Sequence, residues 1–137
     1  MISSEVINAM IDLIDENLQL IEEIRSQGFD SFSSNFKDIQ AAKHSLQEAI
    51  EACLDIGSHI IAERGFRRAD DYKDIYNVLE EEGIIDHVLS SKLQEMAQFR
   101  NLLVHMYWKI DYGQVFDVLQ HNLGDLRAFS GAVMRLL

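Results

Sequence analysis

The chain has 137 residues and a net charge of −11. That length suits one domain burying roughly two-thirds of its unfolded surface, and that charge excludes loose electrostatic binding of nucleic acid over the whole surface while leaving room for a local basic site. With 47% hydrophobic residues, seven glycines and no proline, and no block of alternating β-branched residues, the composition excludes a β-rich fold and predicts long helices ending at glycines.

The first helix is expected from Ser3 or Ser4, either of which can cap it, with Glu5 near its positive end. Val6, Met10, Leu13, Leu20 and Ile24 supply a stripe at helical spacing, and Gly28 the stop. Gly28 to Ser34 is polar apart from Phe29 and Phe32 and reads as a loop. Ser34 then caps a second long helix whose buried face is Ile39, Leu46, Ile50, Cys53, Leu54, Ile60 and Ile61, ending at Gly65. Arg64, Arg67 and Arg68 stand at that end. Cations there suit the helix dipole, or they form a phosphate-facing patch; the residues leave both readings open.

Asp70 and Asp71 open a short third helix carrying Tyr72, Ile75, Tyr76 and Leu79, closed by Gly83; Glu80, Glu81 and Glu82 form its solvated end. A fourth helix runs from Asp86 to Tyr107 or Trp108. A fifth starts at Asp111 and buries Val115, Phe116, Leu119, Leu123, Leu126, Phe129 and Val133, with Gly113, Gly124 and Gly131 weakening it wherever they are interior. The expected architecture is all-α, an antiparallel bundle of about five helices in a single domain spanning residues 1–137. Cys53 is the only cysteine, so no intrachain disulfide is possible. It reads as a packing residue in a reducing cytoplasm. Met1 to Glu5 lacks the start of a signal peptide, and nothing approaches the ~18 uninterrupted apolar residues of a membrane span, so a cytoplasmic protein without membrane contact is expected.

The fourth helix holds the feature that needs explaining. Counting 100° per residue from Leu89, the side chains of Leu93, Met96 and Leu103 share one stripe, and Arg100 and Tyr107 fall on it too. A guanidinium on an apolar stripe must be paired or face a wet cleft. His105 lies roughly 140° round the helix from Arg100, so the two are not simple face neighbours. Leu102, Val104 and Met106 make the other sides apolar. The helix therefore reads as one packed on several sides, with Arg100, Asn101, His105 and Tyr107 set at a seam. Around them, from His87 to Ile110, three cations (Lys92, Arg100, Lys109) face one acid, Glu95.

A metal site finds little support. No histidine has a Glu three residues before it, as dinuclear carboxylate bundles require. His44 with Glu48, His59 with Glu63 and His121 with Asp125 stand at i, i+4, where surface contacts are the ordinary reading. No glycine-rich phosphate loop, nucleophile elbow or zinc spacing is present. One metal-free reaction needs only an imidazole and a guanidinium: cleavage of RNA through its own 2′-hydroxyl. Histidine's unperturbed pKa of ~6.5 suits proton transfer at neutral pH, and arginine offers a fork to phosphate oxygens. Arg100 and His105 as purely structural groups remain the alternative.

Arg100-Asn101-Leu102-Leu103-Val104-His105 matches the Arg-x4-6-His signature of HEPN domains, and its extension to Tyr107 resembles the HepT-like subfamily. Upstream, Ala49 to Gly65 resembles that subfamily's second-helix block, and Asp71-Tyr72 with Leu79 to Ile85 its middle segment. The chain departs at Met106, where an Asp is common. The resemblance implies a helical homodimer whose Arg and His line a cleft at the two-fold interface. It also implies a metal- and cofactor-independent endoribonuclease, the toxin of a type VII toxin–antitoxin pair. The partner implied is a nucleotidyltransferase antitoxin of the MNT type, which silences the toxin by transferring AMP onto the motif tyrosine, here Tyr107.

On this reading His105 transfers protons, Arg100 binds phosphate, and Asn101 orients the phosphate or His105. Lys109, Arg64, Arg67 and Arg68 are RNA-track residues, Trp108 packs at an interface, and RNA rather than DNA is the substrate. The competing reading is a non-enzymatic helical adaptor that presents itself, or a substrate, to the nucleotidyltransferase.

Overall fold

The computed structural model describes residues 4–137, and among them every regular element is helical. The expected cap at Ser3 lies outside the described residues; Ser4 is already within the first helix. The helices are α1 (Ser4–Ser26), α2 (Phe29–Ser33), α3 (Phe36–Arg64), α4 (Tyr72–Glu81), α5 (His87–His105), α6 (Tyr112–His121) and α7 (Leu123–Met134), with a 3₁₀ turn at Tyr107–Lys109.

The two longest helices, α1 and α3, pack along each other and are joined only by the short α2 segment, so they run antiparallel. α4 and α5 pack on each other and on α3, while α7 closes the bundle against α3 and α5. Ile14, Leu18, Ile21, Leu46, Ile50, Ile56, Leu93, Leu119 and Phe129 are fully enclosed in one continuous core. The buried faces read from the sequence for α3 and for the segment from Val115 to Val133 are all in that core.

Five expectations need correction. In α1 the buried stripe is Ile7, Ile11, Ile14, Leu18 and Ile21 together with Ile24, one position round from the stripe predicted. Val6 and Leu20 are exposed, and Met10 and Leu13 only half-buried. α1 is apolar on two adjoining faces, and α3 covers the isoleucine one.

The polar stretch after Gly28 is not all loop. Phe29 and Phe32 stand one helical turn apart and both meet the Phe116 ring, at 5.4 and 5.3 Å between centroids, which draws the segment into the turn of α2. Asn35, not Ser34, caps α3 by accepting from the Asp38 amide, while the Ser34 hydroxyl donates to the Asp30 carbonyl.

The predicted fifth helix is two. Asn122 closes α6 through its amide to the Val118 carbonyl, and its side chain donates to Asp125 in the first turn of α7. Gly113 and Gly124 each lie in a first turn, where the penalty for an interior glycine is reduced. Finally, α5 stops at His105 and Met106 leaves the helical region (φ −136°, ψ 40°).

The caps that position the site follow the sequence closely. Asp71, Asp86 and Asp111 each accept a backbone N–H from the third residue onward, and Gln114 completes a capping box by accepting from the Asp111 amide. Gly65 ends α3 in the left-handed conformation (φ 65°) that favours glycine.

Candidate functional site

α5 buries Leu93, Met96 and Leu103 and half-buries Leu89, which sets Arg100 on the apolar stripe as expected. Its side chain is only 15% exposed and meets both conditions such a group requires. Glu51, one partner, projects from α3: its Oε1 accepts from Arg100 Nε at 3.1 Å and from Nη2 at 2.9 Å. The same oxygen accepts from Gln47 Nε2 at 3.3 Å, tying the carboxylate to its own helix. Asn101 Oδ1 accepts from Arg100 Nη1 at 3.0 Å. The Tyr72 ring lies 5.3 Å from the guanidinium carbon, within cation–π range. The wet side is a cleft of about 160 Å³ lined by Arg100, Glu51, Leu54, Asp55 and Tyr72.

Asn101, expected to orient the phosphate or His105, accepts from Arg100. Glu51 and Tyr72 were not singled out as site residues from the sequence. The signal for a carboxylate was Arg100 itself, whose burial demands a counter-charge, but nothing in the spacing chose among the 23 acids.

His105 is the last residue of α5 and exposed, and among the described residues its ring makes no hydrogen bond or ion pair. It sits five residues beyond Arg100, roughly 7–8 Å further along the helix axis and turned well away from it. The chain therefore presents the guanidinium and the imidazole on different sides of α5. Tyr107 does not continue the α5 stripe, because the chain turns at Met106 before reaching it. It stands in the 3₁₀ turn, 61% exposed, edge-on to the 66% exposed Trp108 with ring centroids 5.5 Å apart. Tyr107 and Leu103 border a second cleft of about 230 Å³ with Gln40, Lys43, His44 and Gln47 of α3. Lys109 is exposed at the end of the turn.

The three arginines at the end of α3 and just beyond it do not act as one patch. Arg67 is committed. It donates to both Glu81 oxygens at 2.9 Å, to the two Asp74 oxygens at 2.8 and 3.0 Å, and to the Arg68 carbonyl at 3.3 Å. These bonds use all five of its N–H groups and clamp the α3–α4 connection onto α4. The Arg67 guanidinium holds the Asp74 and Glu81 carboxyls below the usual carboxylate range, with the Asp70 amide adding to the effect at Asp74. Arg64 and Arg68 remain exposed, Arg68 at the rim of an apolar hollow of about 600 Å³ that shares Tyr72 with the Arg100 cleft.

Among the described residues no group of three or more His, Cys, Asp or Glu side chains converges on a point where a metal ion could sit. His44 pairs with Glu48 at 3.0 Å as the spacing suggests. His121 pairs with Asp117 at 3.4 Å rather than with Asp125, whose carboxylate takes the Asn122 amide. Cys53 is fully buried, and that burial pushes its thiol up, away from the reactive thiolate, in keeping with a packing role. No helix among the described residues is long and apolar enough to cross a membrane.

Comparison with known proteins bears directly on this arrangement. The mRNA nuclease HepT of Shewanella oneidensis is 28% identical over 126 residues, 92% of this chain and 94% of that protein. The tRNA nuclease HepT of Aphanizomenon flos-aquae is 25% identical over 118 residues, 86% of this chain and 80% of that one. A solved structure of a tri-AMPylated Shewanella oneidensis HEPN toxin in complex with MNT antitoxin superposes with a TM-score of 0.90 at 26% identity, covering 97% of this chain and 99% of that one. The family described as Ribonuclease HepT-like matches residues 14–133, and with the helical bundle and the Arg100–His105 motif in place, the chain belongs to that family.

Proposed function

We propose that the chain is the ribonuclease toxin of a type VII toxin–antitoxin pair, a homodimer that cuts RNA without a metal ion or other cofactor. The observation that carries this reading is the contrast at the end of α5. Arg100 is fixed from three directions at the wall of a wet cleft, while the His105 ring is exposed and unengaged. Arg67, by contrast, spends all its donors within the fold.

In the proposed reaction the substrate's 2′-oxygen attacks the adjacent phosphorus and the bond to the 5′-oxygen breaks, leaving a 2′,3′-cyclic phosphate and a 5′-hydroxyl. Arg100 binds the non-bridging oxygens and stabilises the charge that builds on them. Of the two His105 imidazoles in the dimer, one takes the proton that the 2′-hydroxyl releases and the other gives the departing 5′-oxygen the proton it requires. Because the two groups diverge within one chain, a second copy related by a two-fold axis supplies the geometry that closes the cleft and doubles the positive charge. Lys109, Arg64 and Arg68 extend the RNA track; Arg67, with every donor spent, does not join it.

Tyr107 suits the regulatory role assigned to it. It is exposed, and its phenol stands on the short turn directly after His105. An MNT-type nucleotidyltransferase that places AMP there adds a phosphodiester anion and bulk beside the site, opposing RNA by occupancy and by charge.

One observation favours the adaptor reading: the Arg100 cleft also carries Glu51 and Asp55, acids that disfavour a polyanion. Expression without the partner separates the two. A toxin arrests growth and His105→Ala relieves the arrest; harmless expression of the wild-type chain supports the adaptor.

A further inference from the structure

We propose that Glu51 is the positioning residue of the site, fixing Arg100 so that one N–H on each terminal nitrogen stays free for two oxygens of one phosphate. This inference rests on Arg100 being the phosphate ligand. A guanidinium has five N–H groups in a fixed plane. Glu51 Oε1 takes the single N–H of Nε and one from Nη2, and Asn101 Oδ1 takes one from Nη1. Two donors remain, one on Nη1 and one on Nη2, the pairing that a bidentate phosphate uses.

The carboxylate is itself held. Gln47 donates to the same Oε1 that faces Arg100, and the Tyr72 ring fixes the guanidinium through its face. Arg67 is the contrasting case, with two carboxylates and a carbonyl consuming every donor. At Arg100 a single carboxylate oxygen serves as acceptor for two donors, Asn101 takes a third, and the residue lines the cleft.

The arrangement has two separable consequences. Orientation should raise turnover, because the donors already point where charge develops on the phosphate. The negative charge of Glu51 should at the same time weaken capture of RNA, since a half-exposed carboxylate sits beside the incoming anion. Glu51→Gln keeps an acceptor oxygen and removes the charge, whereas Glu51→Ala removes both.

The test is steady-state kinetics of the full chain on a fluorescently labelled, mixed-sequence single-stranded RNA, comparing wild type with Glu51→Gln, Glu51→Ala and Arg100→Ala, each checked by thermal melting. Glu51→Gln is expected to keep kcat within about threefold and to lower KM, while Glu51→Ala loses about tenfold or more in kcat without a rise in KM. Wild-type kcat in Glu51→Ala, or an equal loss in both variants, overturns the proposal. If Glu51→Ala fails to fold, the Gln variant decides alone, and an unchanged or raised KM counts against the proposal. If Arg100→Ala cleaves as wild type does, the phosphate assignment of Arg100 has failed, and the role of Glu51 falls with it.

Discussion

A half-buried guanidinium is the most informative single group in this chain, because its position creates a requirement that other residues must meet. The apolar stripe of α5 made that requirement legible in the sequence: Arg100 had to be paired or wet, and it is both. The identity of its partner was not legible. Glu51 is 49 positions away on another helix, and only the packing of α5 against α3 selects it. Tyr107 is the complementary case. Its place in the motif was readable, but its direction was not, since the turn at Met106 breaks the angular count on which the stripe depends. At this scale the regulatory proposal gives a simple expectation. Incubated with the partner nucleotidyltransferase and ATP, the wild-type chain gains AMP by mass spectrometry and Tyr107→Phe does not. Labelling of the Phe variant at the wild-type level places the modification elsewhere.

Helices and their junctions carry the second level of the account. α3 and α4 approach closely at Gly57, a buried glycine in the middle of α3 to which the sequence drew no attention. A Cβ there would come within 2.6 Å of Ile75 Cγ2, and the β-branched Ile75 side chain has little freedom to withdraw. Gly57→Ala should therefore destabilise the fold by about 1–3 kcal/mol, despite the better helix propensity of alanine. Chemical denaturation checks this, and a variant as stable as wild type would mean that α4 shifts freely.

The Arg67 clamp gives a pH-dependent expectation at the same α3–α4 junction. Asp74 is held below its ordinary carboxyl value by Arg67, so its stabilising contribution is complete above pH about 4 and is lost as pH falls further. Wild-type Tm should drop on acidification below that point. Asp74→Asn should start lower at pH 7 and drop less, and parallel curves for the two proteins would contradict the clamp. The long amphipathic faces and the aspartate caps were readable because they are local. The course of α2, the break at Asn122 and the choice between two apolar faces of α1 depend on Phe116 and on α3. Those lie too far along the chain for spacing to reveal them.

For the whole molecule, the proposal of a second copy rests on the divergence of Arg100 and His105 around α5. On the proposed reading the chain sediments as a dimer at micromolar concentration. A strictly monomeric chain that still cuts RNA would require both groups to work from separate faces. Family membership was legible because several blocks, from Ala49 to Tyr107, occur together and in order. The partner face was not, since exposed aromatic residues such as Tyr107 and Trp108 do not announce what covers them.

The central claim is that one arginine and one histidine suffice to break the RNA backbone. Its most direct test is cleavage of labelled RNA in the presence of EDTA by wild type, Arg100→Ala and His105→Ala, all shown to be folded. Wild type is expected to cut rapidly, leaving 2′,3′-cyclic phosphate ends, and each variant to lose about a hundredfold or more. Equal cleavage by all three proteins, or cleavage that EDTA abolishes, would contradict it.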